Sequence, residues 1–392
     1  MQKVITSEKL PIKLWLDDIE PGAMAQARNL ANLPFSFKHI AIMPDAHEGY
    51  GMPIGGVLAT KDVIIPNAVG VDIGCGMCCV RTSLKEIDTA RIKSIMSEIR
   101  EVIPLGFDHH KRQQNPDLMP QDYDKRELPV VEQEYNSALH QIGTLGGGNH
   151  FIEIQSGSDG HIWLMVHSGS RNIGLKVAEF YNKLAETLNE KWDENFNRKA
   201  QLAYLPLDNE KGKLYISEMN YCVEFALSNR QLMMHRIMEI FQNETYCDFI
   251  PFEGNLITNI AHNFARVEKH FRTNVMVHRK GATLATKETI GIIPGSQGAK
   301  SYIVKGKGNK QSFESCSHGA GRKMGRGQAR RNLNLEDEIR RLNEKGIIHS
   351  IRHQKDLDEA AGAYKDIDTV MKNQQDLVDI LIELEPLAVI KG

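Results

Sequence analysis

The chain has 392 residues, of which 41% are hydrophobic and 25% are charged. These proportions are typical of a globular protein that buries a core without disulfide staples, and they exclude a disordered, collagen-like or coiled-coil chain. The 48 Lys and Arg residues nearly balance the 50 Asp and Glu residues, for a net charge of -2, so any site for nucleic acid must be local.

The N-terminal residues lack the apolar core of a signal peptide. No run of about 18 apolar residues predicts a membrane span. Six cysteines in a chain of this length are too few for a disulfide scaffold. We therefore expect a cytoplasmic protein in a reducing compartment, with no membrane partner.

Strand and helix signals alternate along the chain, which predicts an α/β or mixed α+β class. An apolar strand is predicted over 39–43, and we expect it to break at Pro44 into the loop DAHEGYG. The next clear element is a helix over 86–103.

Residues 107–128 are polar and contain two prolines, which predicts a surface loop or insertion. Helices are predicted over 172–192 and 218–241, and the Met-rich apolar stripe of the second is expected to lie in the core. Because the informative motifs are scattered along nearly the whole chain, we expect one compact domain over 1–392.

One stretch departs from the neutral average. Residues 289–335 contain nine Lys or Arg and a single acid, Glu314. The stretch is also rich in Gly and Ser, which lets the backbone approach phosphates. This pattern favours an anion or nucleic-acid site over a merely solvated face.

A carboxylate and a thiol stand close together in the glycine-flanked turn DIGCGM. Asp72 and Cys75 are both metal-ligand types, and the glycines allow the turn to bring them together. Cys78 and Cys79 raise the hypothesis of a zinc ribbon, but the chain has no second CxxC pair. Taken alone, Cys75 is also typical of a small buried residue.

Four histidines lie in contexts that suit chemistry. His150 stands between a Gly-rich loop and a strand, and His167 follows an apolar run. His262 falls in a predicted helix, where a structural role is the simpler interpretation. His318 is followed by three small residues and then by Arg322, which could hold a phosphate through two hydrogen bonds.

Together, these residues predict more than any of them does alone. One Asp, one Cys and three or four His in glycine-flanked turns suit a two-metal site that acts on phosphate esters. A histidine beside such a site could be a ligand, a general base or a nucleophile. The chemistry predicts a metal-dependent phosphoryl-transfer enzyme with an anionic, nucleic-acid substrate and leaves hydrolysis and ligation open.

Ten segments, in order and nearly end to end, resemble the RtcB family of RNA ligases. They are MPDAHEGYG (43–51), GVDIGCGM (70–77), GTLGGGNHFIE (143–153), HSGSR (167–171), HNFA (262–265), HRKGA (278–282), IIPGSQGAKS (292–301), SHGAGR (317–322), AYKDID (363–368) and the C-terminal KG.

The resemblance implies a single-domain α/β fold with a central metal-lined cleft. It also implies a reaction that joins RNA 3′-phosphate or 2′,3′-cyclic-phosphate ends to 5′-hydroxyl ends, with GTP and two Mn²⁺ ions as cofactors. In that reaction His318 would take GMP from GTP and pass it to the RNA 3′-phosphate, and the 5′-hydroxyl would then expel it. The implied role is RNA repair or tRNA splicing, and an archease-type activator is a candidate partner.

The resemblance assigns roles residue by residue. Cys75 would bridge two ions, with Asp72 and His262 on one ion and His150 and His167 on the other. His318, Asn149 and Arg322 would be the catalytic residues, and Asp45 and His47 would support them. The nucleotide would be bound by Asn149, Phe151, Glu153, Ser296, Ser301, His318, Gly319, Ala320, Gly321, Arg322, Tyr364 and Lys391.

The chain departs from the common family pattern at Glu48, Gln297 and Gly325, which suggests a divergent subgroup. An alternative function is a metal-dependent 3′-end capping enzyme or phosphodiesterase on the same scaffold that does not seal. A non-catalytic RNA-binding relative is disfavoured by the intact nucleophile and ligand positions. The physiological RNA, the use of DNA ends and the oligomeric state are left open.

Overall fold

The structure, a computed structural model, describes residues 1–194 and 196–392. Its helices are α1 (Pro21–Asn32), α2 (Thr89–Val102), α3 (Pro129–Gln141), α4 (Arg171–Trp192), α5 (Glu210–Thr245), α6 (Arg326–Asn332), α7 (Leu335–Glu344) and α8 (Ile367–Lys372). Short 3₁₀ turns lie at Pro66–Ala68, Pro116–Leu118, Lys125–Glu127, Arg198–Ala200, Lys310–Ser312, Gln354–Glu359 and Ala361–Ala363.

The strands in the first half of the chain are β1 (Lys3–Ile5), β2 (Ile12–Leu14), β3 (Ser36–His47), β4 (Ile54–Thr60), β5 (Val63–Ile64), β6 (Gly76–Thr82), β7 (Phe151–Gly157) and β8 (Ile162–Ser168). Those in the second half are β9 (Leu205–Pro206), β10 (Phe249–Ile250), β11 (Ile257–Ala261), β12 (Asn263–His270), β13 (Thr273–Lys280), β14 (Ala282–Leu284), β15 (Ile290–Ile293), β16 (Ser301–Gly306), β17 (Ser315–Ser317) and β18 (Val378–Lys391).

Two large sheets organise these elements. The first has the strand order β1-β2-β3-β4-β13-β12. The second has the order β10-β6-β8-β7-β18-β16-β15, and β11 also pairs with β6. The ladders of the second sheet are antiparallel, whereas β2 and β3 run parallel. Sheets and helices mixed in this way confirm the predicted α/β class.

Helix α5 is the longest helical element and lies against β6 and β8 of the second sheet. The side chain of Asn209 caps its first turn by accepting the N–H of Lys211. Its Met-rich stripe is buried, with Met219, Met234 and Phe241 inaccessible to solvent, which confirms the core interpretation. The helix extends beyond the predicted 218–241 at both ends, where polar residues obscure the helical spacing of the apolar residues.

The predicted helices over 86–103 and 172–192 correspond closely to α2 and α4. Residues 107–128 form the expected surface segment, which contains two of the 3₁₀ turns. Its buried residues Met119 and Leu128 hold it to the core formed by α3, α4 and α5.

Two local predictions were wrong. Strand β3 does not end at Pro44 but continues to His47. Its pairing with β4 shifts register after Ile42, so the ladder does not require a backbone N–H at Pro44, which has none. His262 does not lie in a helix but at the bend between β11 and β12. Pairing of β11 with β6 and of β12 with β13 overrides the weak local preference of this segment.

All six cysteines are buried and free of disulfide bonds. Across residues 1–194 and 196–392, no helix combines the length and the apolar character that crossing a membrane requires.

Candidate active site and metal centre

Four predicted ligands lie at one edge of the second sheet. Cys75 directly precedes β6, His150 directly precedes β7, His167 is near the end of β8, and His262 directly follows β11. Neighbouring strands are antiparallel, so one strand begins where the next one ends. Residues far apart in sequence therefore converge on one edge.

The side chains at this edge are close enough to share metal ions. The Sγ atom of Cys75 lies 3.3 Å from Nε2 of His167 and 3.5 Å from Nε2 of His150. Oδ2 of Asp72 lies 3.1 Å from Nε2 of His150. Two groups of three possible ligands result, one of Cys75, His167 and His262 and the other of Asp72, Cys75 and His150.

This geometry divides the ligands differently from the expected scheme. Asp72 falls with His150 and not with His262, whereas His167 falls with His262. Cys75 belongs to both groups, as a bridging ligand would. The pairing follows from the strand register, in which Gly76 faces both Ser168 and Ala261 and so sets Cys75 beside His167 and His262.

The hydrogen bonds of the histidines fit metal binding. Backbone carbonyls of Leu145 and Asn149 face the Nδ1 atoms of His150 and His167 at 3.0 and 3.1 Å. A proton on Nδ1 leaves the Nε2 lone pair directed at Cys75, the arrangement common around metal-bound histidines. The buried Nδ1 of His262 has no hydrogen-bond partner among the described residues, a vacancy that an ion would satisfy.

The charges of the cluster agree with this interpretation. Burial lowers the pKa of His167 and of His262 well below the usual value, so both rings are neutral near pH 7. Burial opposes ionisation of Asp72, but hydrogen bonds with His150 and Cys75 outweigh it and lower its pKa to about 2. Neutral imidazoles and an ionised carboxylate are the forms that bind metals.

The buried Arg230 and the half-buried Asn263, neither of which was assigned a role from the sequence, hold the metal-binding turns in place. Nη1 of Arg230, on α5, donates to the carbonyls of Gly74 and Ser168 at 2.8 and 2.9 Å. Asn263 donates to the carbonyl of Asp72 and accepts the N–H of Gly281. Each joins segments that are distant in sequence, so only the fold reveals its role.

His318 lies between the ligand cluster and the first sheet. It follows β17, and its ring centroid is 4.8 Å from that of His262. Its Nδ1 atom lies 2.6 Å from Oδ2 of Asp45, a fully buried residue of β3. Because Nδ1 donates to the carboxylate, the lone pair of the imidazole is on Nε2.

A pocket opens beside His318, and we call it the His318 pocket. Ten further residues expected at the nucleotide line it: Asn149, Phe151, Glu153, Ser296, Gly319, Ala320, Gly321, Arg322, Tyr364 and Lys391. Ser301 is not among the lining residues. Its buried hydroxyl lies behind the pocket wall, where it accepts the N–H of Gly295 and a hydrogen bond from Gln155.

Glu153 is an unusual group in this pocket. Burial raises its pKa to about 8, although Lys391 and a hydrogen bond from Gln155 favour the ionised form. Glu153 is therefore mostly protonated at neutral pH. It presents a buried carboxyl group that can both donate and accept hydrogen bonds.

The guanidinium of Arg322 is already engaged in hydrogen bonds within the protein. Its guanidinium donates to Glu359, to the hydroxyl of Tyr364 and to the carbonyls of Met324 and Asp358. For Arg322 to bind a phosphate through two hydrogen bonds, as expected, some of these bonds would have to break. This arrangement could not be predicted from the sequence, because Glu359 lies outside all of the recognised motifs.

Two of the three positions that depart from the family pattern lie near the site residues. Gln297 lines the His318 pocket, and its amide donates to the carbonyl of Glu359 at 3.4 Å. Gly325 is the N-cap of α6, directly before Arg326, which forms an ion pair with Glu359 at 2.7 Å. Glu48 is exposed on the loop that follows β3.

Comparison with known proteins places the chain in a family. The family described as tRNA-splicing ligase RtcB matches residues 26–392. The RNA-splicing ligase RtcB of Escherichia coli strain K12 is 37% identical, covering 100% of this chain and 99% of that protein. The tRNA-splicing ligase RtcB of Thermococcus kodakarensis is 30% identical, covering 98% and 95%. A homolog from Entamoeba dispar is 33% identical, covering 95% and 82%. The chain therefore belongs to the RtcB family.

Proposed function

We propose that this protein is a GTP- and Mn²⁺-dependent RNA ligase acting in RNA repair or tRNA splicing. It joins 3′-phosphate or 2′,3′-cyclic-phosphate ends to 5′-hydroxyl ends. The observation that carries the proposal is the position of His318, whose Nδ1 is bound to Asp45, between a metal-ligand cluster and a pocket lined by residues expected at the nucleotide. The names of the relatives, which are RNA-splicing ligases, point the same way.

His318 is the proposed nucleophile. Its Nε2 lone pair attacks the α-phosphorus of GTP, forms an N–P bond and expels pyrophosphate. An oxygen of the RNA 3′-phosphate then attacks the same phosphorus and displaces His318, which leaves GMP on the RNA end. Finally the 5′-hydroxyl oxygen attacks the RNA 3′-phosphorus, and GMP departs as the new phosphodiester forms. A cyclic phosphate must first be hydrolysed to a 3′-phosphate.

The residues around His318 have distinct tasks in this scheme. The backbone of Gly319, Ala320 and Gly321, with the side chain of Asn149, lies where phosphates would be bound. Phe151 and Tyr364 offer aromatic surfaces to the guanosine, and Glu153, Ser296 and Lys391 offer polar contacts. Arg322 acts by positioning Glu359 and Tyr364, and Ser301 by supporting the loop at Gly295.

Metal ions would be held by Asp72, Cys75, His150, His167 and His262. When bound, divalent ions supply positive charge that neutralises phosphate oxygens and polarises the attacked phosphorus. Imidazole and carboxylate ligands suit Mn²⁺, whereas the thiolate is softer than Mn²⁺ usually prefers. Zn²⁺ should therefore compete for the site.

The first test is transfer of label from α-labelled GTP to the purified protein in the presence of Mn²⁺. We expect a covalent adduct in the wild type and none in His318→Ala. The matched control is His235→Ala, because His235 is exposed on α5 and outside the pocket. A wild-type protein that never acquires label would exclude the guanylyl mechanism.

The second test separates sealing from capping. An RNA with a 2′,3′-cyclic phosphate is incubated with a 5′-hydroxyl acceptor or with the same acceptor carrying a 5′-phosphate. We expect sealing only to the 5′-hydroxyl acceptor. If a GMP-capped RNA 3′ end accumulates with either acceptor and no sealed product forms, the capping alternative is supported instead.

A further inference from the structure

Beside the His318 pocket lies a second cavity of about 400 Å³, within the range of roughly 300–1,000 Å³ for ligand sites. We call it the Phe107 cavity, and its walls include Gly106, Phe107, Gly148, Arg330, Lys355 and Lys391. It shares Gln297, Glu359 and Lys391 with the His318 pocket. A strand bound in one cavity could therefore continue directly into the other.

Phe107 presents a bare aromatic ring at the rim of this cavity. Its side chain is 97% exposed, the highest value among the large hydrophobic residues of the described chain. The ring sits on a turn that is held on both sides. The N–H of Gly106 donates to Gly146 at 3.2 Å, and the N–H of Asp108 donates to Leu105 at 3.0 Å. A ring on an anchored turn loses little backbone freedom when it binds a partner.

The same turn is connected to the metal-ligand cluster. Nη2 of Arg171 donates to the carbonyl of Gly106 at 3.3 Å. A Cβ atom on Gly146 would lie 2.0 Å from Nη1 of Arg171 and 2.8 Å from Nδ1 of His150, so the guanidinium lies beside that cluster. Phe107 therefore directly follows Gly106, whose carbonyl accepts a hydrogen bond from an arginine that borders the metal-ligand cluster.

The charged side chains that line the cavity balance in number, but its carboxylates are already engaged within the protein. Asp358 is paired with Arg330 at 2.7 Å, and Glu359 is paired with both Arg322 and Arg326. The third lining carboxylate, Asp356, accepts backbone N–H groups of the adjoining turn. Three lining cations, Arg330, Lys355 and Lys391, thus face three carboxylates, and the exposed Lys355 is in no ion pair with the described residues. Lys355 is therefore the cation left available to a phosphodiester.

A second depression extends this surface away from the active site. It lies on the other side of the segment that contributes Ser350 and Ile351 to the Phe107 cavity, and its lining includes Lys93, His349 and Arg352. None of the residues that line it is acidic. Positive side chains therefore extend farther than one nucleotide needs.

We propose that the Phe107 cavity binds a nucleotide of the single-stranded RNA being joined, with the base stacked on Phe107 and the phosphate at Lys355. An exposed aromatic ring combined with basic side chains is the arrangement by which proteins bind single strands without reading their sequence. This inference rests on the proposed function, because it takes RNA as the substrate of the adjoining pocket.

The test is binding of a fluorescent single-stranded RNA with a 3′-phosphate, measured by anisotropy. We expect Phe107→Ala and Phe107→Leu to raise Kd about tenfold or more and Phe107→Trp to restore it, because stacking needs a ring and not merely an apolar side chain. Lys355→Ala should raise Kd less and make the salt dependence shallower, by about 0.7 in log–log slope for one phosphate. A duplex whose bases are already stacked should be insensitive to Phe107→Ala.

Matched controls are Tyr246→Ala and Lys211→Ala, which remove an exposed aromatic ring and an exposed lysine outside both cavities. Guanylylation by GTP alone should be normal in all these variants. If Phe107→Ala, Phe107→Leu and Tyr246→Ala all bind single-stranded RNA as tightly as the wild type, the inference is overturned. Because binding is measured without turnover, that result is distinct from a missing guanylyl adduct, which would defeat the proposed function.

Discussion

Oδ2 of Asp45 accepts hydrogen bonds from three donors of the His318 loop. It lies 2.6 Å from Nδ1 of His318, 3.0 Å from the backbone N–H of His318 and 3.3 Å from that of Gly319. Burial disfavours the ionised carboxylate, but the charge and hydrogen bond of His318 outweigh it and lower the pKa of Asp45. One ionised carboxylate thus fixes both the ring orientation and its tautomer.

Asp45→Asn is expected to slow guanylylation of His318 by roughly 10³- to 10⁴-fold, the scale seen when a carboxylate that orients a catalytic histidine becomes an amide. An amide that donates to Nδ1 places the ring proton on Nε2, and the nucleophilic lone pair is lost. The affinity for GTP should change little. Both quantities can be measured, by the rate of label transfer and by equilibrium binding.

The control for this substitution is Glu48→Gln, an exposed carboxyl group three residues further along the same segment. It should leave the rate unchanged. An Asp45→Asn protein that is guanylylated at the wild-type rate would show that Asp45 does not set the tautomer of His318.

Gly321 is the point where the His318 loop comes closest to β3. Its φ angle is +74°, and a Cβ atom there would lie 2.0 Å from the carbonyl oxygen of Asp45. Gly321→Ala should therefore lower stability by about 1–3 kcal/mol and displace the loop from Asp45. We expect a lower urea midpoint together with a large loss of guanylylation.

Gly325 provides the matched comparison. It lies four residues later, has a φ angle of -65°, and a Cβ atom there would meet nothing within 4 Å. Gly325→Ala should keep nearly full stability and activity. Equal effects of the two substitutions would mean that the close approach of Gly321 to Asp45 is unimportant.

The sequence predicted which side chains would meet, but not how they would be arranged. His150 and His167 could be selected because glycine-rich turns and apolar runs mark the ends of strands. The position of His262 was predicted wrongly, since only its pairing partners make that segment a strand. The division of ligands depends on strand register, which local sequence does not specify.

The environment of Arg322 was unpredictable for a related reason. Its partner Glu359 lies 37 residues away in a 3₁₀ turn without a distinctive motif. A sequence pattern can suggest that an arginine binds phosphate, but it does not show whether a buried carboxylate already holds that arginine. Asp45 was expected only to support the site, and the contact with His318 that defines its role joins β3 to the loop after β17.

Cys75 is predicted to be essential for metal binding because it belongs to both groups of possible ligands. Cys75→Ala should weaken metal binding by roughly 100-fold or more, beyond the 10- to 100-fold typical when a residue supporting a ligand is lost. Metal content after dialysis, measured by elemental analysis, reports this without any activity assay. The control is Cys79→Ala, a buried neighbour outside both groups, which should retain the wild-type metal content.

Glu153 should make the stability of the ligand-free protein depend on pH. Its pKa in the folded protein is about 8, whereas an unfolded chain restores the ordinary value near 4.3. Between these values the folded state holds a proton that the unfolded state has released. The free energy of unfolding should therefore fall by a few kcal/mol as the pH rises from about 5 to 8.

Urea unfolding at several pH values tests this expectation. Glu153→Gln keeps a neutral side chain of similar shape, so its stability should vary less with pH over the same window. Glu385→Gln, at an exposed position of β18, should behave like the wild type. A Glu153→Gln protein with an unchanged pH dependence would show that Glu153 is not the group that titrates.

The ion pair between Glu268 of β12 and Arg279 of β13 lies next to β17, the strand that precedes His318. Nη1 and Nη2 of the fully buried Arg279 lie 2.5 and 3.0 Å from the two carboxylate oxygens of Glu268. Nε of Arg279 donates to Ser315 of β17 at 2.9 Å. Loss of the carboxylate would leave a buried cation unpaired beside the nucleophile loop.

Glu268→Gln should lower the free energy of unfolding by about 3–5 kcal/mol, the usual cost of removing one partner of a buried pair. Burial opposes ionisation of Glu268, but Arg279 and His270 outweigh it and lower its pKa. The deficit of the variant should therefore be constant above the ordinary carboxyl pKa and shrink as the pH falls below it. Urea titrations at neutral and acidic pH measure it, with the exposed Glu288→Gln as control. An unchanged urea midpoint at neutral pH would contradict a stabilising role for the pair.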